Sequence, residues 1–445
     1  MKLFDTLSST LREFKPIEKN KVKMYICGMT VQDVPHAGHL RTFTSFDILR
    51  RYLEYKGYEV IYVQNFTDID DKIINKSREL NVDWRKLAYK YESEYIKYAK
   101  MMNFKDVEFY PKATLHIQEI IEIIQVLINK GFAYISNGNV WFDVEKFERY
   151  GKLSKKSLDE LISGYRIEPD PSKKKPYDFA LWKAYKEGEP YWYSPFSKGR
   201  PGWHIECSAM SITHLGKTID IHGGAEDLIF PHHENEIAQS EAFTGQVFSN
   251  FWIHTGFLTI GGEKMSKSTG LFFSAKDLLE HYEPNVIRLF FLKAHYRSPL
   301  EFSNELLEDA KNSWHRIKNF LLEFKEEGKI YNALLNEFEL AMDENLNTPK
   351  TLAIIFEYIN LAYKNPQIAN DIAFTIRMIL NVLGFNLDFE IKNNKLEELI
   401  NLIVEVRQDL RKQRNFEISD KIRNRLKEIG IILEDTKEGT KWKII

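Results

Sequence analysis

A chain of 445 residues, 43% hydrophobic and 28% charged, is long enough for about two to four domains and a sizeable core. Its net charge of −2 excludes a basic protein that coats nucleic acid, but it leaves room for a local basic patch. The two cysteines exclude a disulfide scaffold, and with no apolar run of membrane-spanning length and Asp5 interrupting any leader, a cytoplasmic protein is expected.

Residues 1–23 are polar with scattered apolar contacts and read as a lead-in. Met24 to Cys27 is a short buried strand, and Gly28 and Pro35 break its pattern. Leu40, Phe43, Phe46, Leu49 and Leu53 then recur at helical spacing. Gly57 to Val63 is a second strand, so this stretch predicts a βαβ unit and a parallel sheet. His36, Gly38 and His39 fall at the strand-to-helix turn, where backbone N–H groups and the helix dipole favour bound phosphate.

Asn65 to Lys72 follows the second strand and presents Thr67 at the strand end. Its carboxylates, Asp68, Asp70 and Asp71, could bind magnesium or cap the next helix, and capping is favoured. Leu80 to Lys130 reads helical, and residues 131–144 read as a hairpin turning at Asn137-Gly138. Residues 150–176 are polar and carry a Pro- and Lys-rich run; this block reads as an insertion splitting the nucleotide-binding fold.

Gly199 to Met210 is dense in special residues, including Trp203, His204 and Cys207. Thr218 to Gly224 reads as a strand running into a Gly-rich turn. A helix opens near Pro231, which suits its first turn, and places His232 and Glu236 on one face. Gly261 to Ser268 is a Gly-led loop carrying Lys264 and Lys267, suited to stabilising polyphosphate charge. Residues 275–392 are almost wholly helical, with a helix start at Asn347-Thr-Pro349. After Asn393-Asn394, two helices and a terminal hairpin form a compact unit. Within it, Arg407 to Lys427 holds eight basic residues against three acidic ones, a pattern commoner in a solvated helix face than in a nucleic-acid site.

Cys27 and Cys207 both lie beside these motifs. With His232 and Glu236 they would make a Cys₂HisGlu zinc set, although spacing alone does not choose among His232, His233 and His204. Zinc prefers a thiolate to a hydroxyl, so a metal beside an amino-acid pocket would select cysteine over serine by bond chemistry.

Together, His36-Ala-Gly-His39 and Lys264-Met-Ser-Lys267 resemble the paired ATP-binding motifs of class I aminoacyl-tRNA synthetases. Trp203-His-Ile-Glu-Cys207 and Pro231-His-His-Glu-Asn-Glu236 resemble the cysteine-specific family among them, and the likeness spans nearly the whole chain. The resemblance implies an α/β fold: a Rossmann-type parallel-sheet catalytic domain over 1–272 with a connective insertion at about 80–195. It further implies a stem-contact region at 273–310, a helical bundle at 311–392 and a small α+β anticodon-binding domain at 395–445.

The resemblance also assigns roles. One zinc ion per chain would be held by Cys27, Cys207, His232 and Glu236, the choice of His232 coming from the family. Gly28, Thr67 and Trp203 would line the cysteine pocket. ATP, with magnesium, would meet His36, Gly38, His39, Lys264, Ser266, Lys267 and Ser268. Of these, His36, His39, Lys264 and Lys267 would carry the catalysis. Arg414, Asp420, Arg423 and Trp442 would contact tRNA. The expected activity is cysteine–tRNA ligation by a monomer that makes no membrane contact. Two alternatives are a cysteine-adenylating ligase acting on an amino sugar, as in mycothiol synthesis, and a non-catalytic tRNA-binding relative. The basic terminal unit argues against the first and the intact lysines and histidines against the second.

Overall fold

The computed structural model describes residues 1–157, 160, 170–265, 273–324, 327–388, 393–436 and 439–444. These divide into two compact units, Met1–Phe385 and Asn386–Ile445.

The centre of the first unit is a four-stranded parallel sheet in the order Ser249–Thr255, Ile219–Ala225, Lys21–Ile26, Glu59–Gln64. Lys21–Ile26 is its first strand in the chain and sits in its middle, with Met24, Tyr25 and Ile26 fully buried. The chain goes to one side of it for the second strand and to the other for the third. This reversal opens a crevice at the carboxyl ends, where α/β sheets bind ligands. The crossover helix Ala37–Tyr55 packs on the sheet through Leu40, Phe43, Phe46, Leu49 and Leu53. It ends where Gly57 takes a left-handed φ of 90°, letting its N–H reach the Glu54 carbonyl.

The insertion builds a five-stranded antiparallel sheet, ordered Ala133–Ser136, Asn139–Phe142, Phe179–Ala184, Lys198–Pro201, Trp192–Tyr193. The expected Asn137-Gly138 turn joins the first two strands, both residues having positive φ. Ile120, Ile124, Leu127, Val140, Phe142 and Trp182 from this region share one core with Ile205, Ala209, Ile237 and Ala238. The last four come from helices Trp203–Leu215 and Glu234–Thr244, which also carry predicted ligands.

Three local expectations are corrected. The N-terminal lead-in is a hairpin, Lys2–Asp5 paired with Thr10–Glu13. Buried Asp5 accepts from Arg12 and from the Trp252 N–H, both at 3.0 Å, which a four-residue polar alternation could not announce. The glycines after His222 do not turn; the strand runs on to Ala225. A Cβ at Gly223 would meet the Phe46 ring at 2.5 Å, so glycine serves helix-to-sheet packing there. Finally, Pro231 follows a cis bond inside a wide turn, Ile229–His233, and the regular helix begins at Glu234.

Helices Pro284–Leu292, Asn304–Glu323, Asn332–Asp343, Thr348–Lys364 and Pro366–Val382 form the helical C-terminal part of the first unit. Asn347 caps Thr348–Lys364, its side chain accepting from the Lys350 N–H. The second unit packs helices Asn393–Lys412 and Phe416–Glu428 on the hairpin Ile431–Thr436/Gly439–Ile444. Its core is Ile400, Val404, Leu426, Ile431 and Leu433. Among the described residues no helix is long and apolar enough to cross a membrane.

Candidate active site and metal centre

Cys27 leaves the first strand with its N–H on the Gly223 carbonyl at 2.9 Å, which pins it to the switch point of the sheet. Helix Trp203–Leu215 brings Cys207, and the Ile229–His233 turn with the helix after it brings His232 and Glu236. The ligand atoms of Cys27, Cys207, His232 and Glu236 all lie within 4.8 Å of one another, and all four residues are buried. The two Sγ atoms are 3.8 Å apart, both thiols are free, and Cys27 Sγ is 3.4 Å from Glu236 Oε1. His232 Nε2 is 3.1 Å from the same oxygen.

A second grouping shares Cys27 and Glu236 but takes His222 and His233. It offers one sulfur rather than two, and a borderline-soft ion such as zinc is better served by two thiolates. The first set is also the one beside Trp203, whose ring is 4.3 Å from that of His232. His233 instead belongs to a buried chain: its Nδ1 is 2.7 Å from His254 Nε2, and His254 Nδ1 is 2.8 Å from Thr6 Oγ1. His204 joins neither grouping; it meets His232 Nδ1 at 2.9 Å.

The electrostatics suit a cation. Burial pushes the Glu236 carboxyl up, but His222 and His232 outweigh it and hold it at about 2. Burial likewise raises the Cys207 thiol, yet the hydrogen bond with Cys27 and the charge of His232 bring it to about 6. Cys27 goes the other way, raised well above an ordinary thiol by burial and by Cys207. Burial alone would make His232 less basic; Cys207 and Glu236 instead raise it to about 10. The metal-free site thus holds anionic groups against a protonated imidazole, a charge pattern a divalent ion can replace. Two sulfurs, one nitrogen and one oxygen fit a four-coordinate zinc site, so this buried cluster can hold a metal.

Above the cluster opens a cavity of about 380 Å³ whose walls include Cys27, Gly28, His36, His39, Trp203 and Lys264. His36 is the N-cap of Ala37–Tyr55 and forms a reciprocal capping pair with His39. Each Nδ1 accepts from the other residue's backbone N–H, at 3.2 and 3.4 Å, and the rings stack at 3.7 Å. In a neutral imidazole this leaves the proton on Nε2, so each ring keeps an N–H donor at the helix's positive end. Lys264 pairs with Asp227 at 3.0 Å and lies 3.9 Å above the Phe257 ring.

Other predicted residues stand apart from this wall. Thr67 is buried under the Met29–Val31 segment, its N–H on the Met29 carbonyl at 3.2 Å, and it does not line the cavity. Asp70 caps helix Asp71–Glu79, Asp68 accepts from Thr114, and Asp71 pairs with Lys183 and Arg200. The carboxylates after the second strand are therefore taken up by protein partners, with Asp70 in the favoured capping role. Ser266, Lys267 and Ser268 lie outside the described residues. In the second unit Arg414, Asp420 and Arg423 are exposed, while Trp442 packs on the core and donates to Asn401 at 2.8 Å. Sequence reasoning passed over His254, Thr6 and Asp227. His254 sits next to the carboxyl end of a parallel strand, so the switch-point rule could have found it.

Residues 13–312 match the family described as tRNA synthetases class I (C) catalytic domain. Over 100% of this chain and 99% of the relative, it is 49% identical to a cysteine–tRNA ligase of Thermodesulfovibrio yellowstonii. The corresponding Thermotoga maritima ligase is 46% identical, with 100% of both chains covered. Among solved structures, Mycobacterium tuberculosis methionyl-tRNA synthetase in complex with methionyl-adenylate superposes with a TM-score of 0.60 at 14% identity. That match covers 82% of this chain and 89% of the other and shows a shared fold. By this family match and by these full-length identities, the chain belongs to the cysteine–tRNA ligase family of class I tRNA synthetases.

Proposed function

We propose that the protein activates L-cysteine with ATP and transfers it to the 3′ end of tRNA(Cys). In the first step the cysteine carboxylate attacks the α-phosphorus of ATP and pyrophosphate leaves. The carboxylate is already ionised at pH 7, so no general base is required, and the protein's contribution is positioning and charge stabilisation. In the second step a ribose hydroxyl of the terminal nucleotide attacks the acyl carbon and AMP leaves.

The observation that carries this reading is one cavity lined both by His36, His39 and Lys264 and by Cys27, which belongs to the buried cluster. His36 and His39 donate to phosphate oxygens beside the helix N-terminus, with Gly38 leaving the backbone approachable. Lys264 and Lys267, with Ser266 and Ser268, hold the departing pyrophosphate. Cys27, Cys207, His232 and Glu236 hold zinc. When bound, zinc favours a thiolate over a hydroxyl and lowers the pKa of a thiol that meets it. Gly28 and Trp203 line the amino-acid end, and Thr67 supports it from beneath through its backbone bonds to Met29 and Val31. Arg414, Asp420, Arg423 and Trp442 form the tRNA-reading face of the terminal unit. In this reading 1–272 catalyses, 273–310 meets the stem, and 395–445 reads the anticodon.

The test is cysteine-dependent exchange of labelled pyrophosphate into ATP, run beside metal analysis. Lys267→Ala is expected to lose most exchange while keeping its zinc. Cys207→Ser is expected to lose zinc and discrimination against serine together. Wild-type protein without stoichiometric zinc, or without cysteine-dependent exchange, would sink the reading.

A further inference from the structure

Lys72 has an unusual setting. It is the second residue of helix Asp71–Glu79, is exposed, and lines the same cavity as Cys27, Trp203 and Lys264. Three carboxylates stand within four residues of it, and each is engaged elsewhere. Asp68 accepts from the Thr114 N–H and hydroxyl. Asp70 accepts from the backbone N–H of Lys72 itself, at 2.9 Å. Asp71 turns away to Lys183 and Arg200. Among the described residues the Lys72 ammonium joins no ion pair; it stands 5.9 Å from the centre of the Trp203 ring. Lys264, by contrast, is already paired with Asp227.

Position assigns this cation a task. Trp203 packs against His232, so Lys72 is at the thiol-binding end of the cavity. A cysteine whose sulfur is directed to the buried cluster carries its carboxylate only two carbons away. That carboxylate must leave water in a cavity whose described acids are Asp33 and Asp227, and an anion taken from water needs a compensating charge. We infer that the Lys72 ammonium binds the carboxylate of the substrate amino acid and positions it for attack on the α-phosphorus. This rests on the ligase reading above and adds a binding residue to it.

A cation that binds the carboxylate before and during attack acts mainly on substrate affinity, because the charge is largest in the ground state. Lys72→Ala should therefore lower kcat/KM for cysteine about 10- to 100-fold in exchange assays without tRNA, the usual range for losing a charged hydrogen bond, with KM carrying most of it. Lys72→Arg should restore most of the affinity, and zinc content and KM for ATP should stay at wild-type values. Lys72→Met, which keeps the stem beside the indole, should behave as Lys72→Ala does. Unchanged cysteine KM in both neutral variants would overturn the assignment. So would normal exchange with loss confined to transfer onto tRNA, because the ammonium would then serve RNA phosphate. Failure of the wild-type exchange sinks the ligase reading instead, so the two are separable.

Discussion

His204 Nδ1 and His232 Nδ1 lie 2.9 Å apart, so two imidazoles meet through like atoms. One must donate and the other accept. Burial and the neighbouring His232 hold His204 well below the ordinary histidine pKa, which keeps it neutral. With His204 accepting at Nδ1, His232 donates its Nδ1–H there, so Nε2, 3.1 Å from Glu236 Oε1, is the nitrogen that would give up its proton to a metal held with Cys207 and Glu236. Such outer partners usually contribute about 10- to 100-fold to metal affinity. His204→Ala should weaken zinc by that factor while the apo fold persists, as read by competition with a chromogenic chelator. Equal affinities would show that His232 needs no orienting partner.

Gly28 follows Cys27 and donates its N–H to the Asn65 side chain at 2.8 Å. A Cβ at Gly28 would fall 1.7 Å from the Asn65 carbonyl oxygen, far inside contact distance. Either Cys27 or the Asn65 loop would have to move. Gly28→Ala is therefore expected to lose zinc and exchange activity together. A variant with full metal content would show that the loop yields and the thiol does not.

Arg41 is buried on the crossover helix and donates to the carbonyls of Gly256, Phe257 and Ser298. It thereby fastens the fourth strand's exit, where Phe257 underlies Lys264. Burial lowers its guanidinium to about 10, so it remains charged at pH 7. Arg41→Met strands three acceptors and should cost about 3 kcal/mol or more. Denaturant unfolding measures this; a loss under about 1 kcal/mol would mean that water reaches those carbonyls.

Asp71 sits against Lys183 and Arg200 of the inserted sheet. Burial raises its carboxyl, but the two cations prevail and hold it at about 2. A carboxyl depressed on folding contributes stability that is complete above the ordinary range near about 4 and fades as pH falls toward the folded value. Its side chain is 45% exposed, so solvent screens the pair and the contribution is below about 1 kcal/mol. Asp71→Asn should slightly lower the melting temperature at pH 7 and flatten its decline between about pH 4 and 2. An unaltered acid limb would rule the ion pairs out as a source of acid sensitivity.

Local periodicity made much of this fold legible. The strand–helix–strand from Met24 to Val63, the Asn137-Gly138 turn and the Asn347 cap each depend on residues within a few positions of one another. The cysteine cluster was readable as a set but not as a choice, because His232 and His233 are adjacent and a wide turn, not a regular helix, decides where each points. Thr6 and His254 were silent because 248 positions separate partners that lie 2.8 Å apart. Thr67 was expected at the substrate wall from its place after a strand; backbone bonds to Met29 and Val31 instead put it beneath that wall.

The interior that the insertion shares with Trp203–Leu215 and Glu234–Thr244 bears on how this protein can be rebuilt. Excising residues 84–201 would strip Ile205, Ala209, Ile237 and Ala238 of their apolar cover and loosen the two helices bearing Cys207 and Glu236. The inserted segment is thus no exchangeable cassette. Grafting a foreign one in its place would put the buried Cys27–Cys207–His232–Glu236 cluster at risk, and metal retention in such chimaeras would report it.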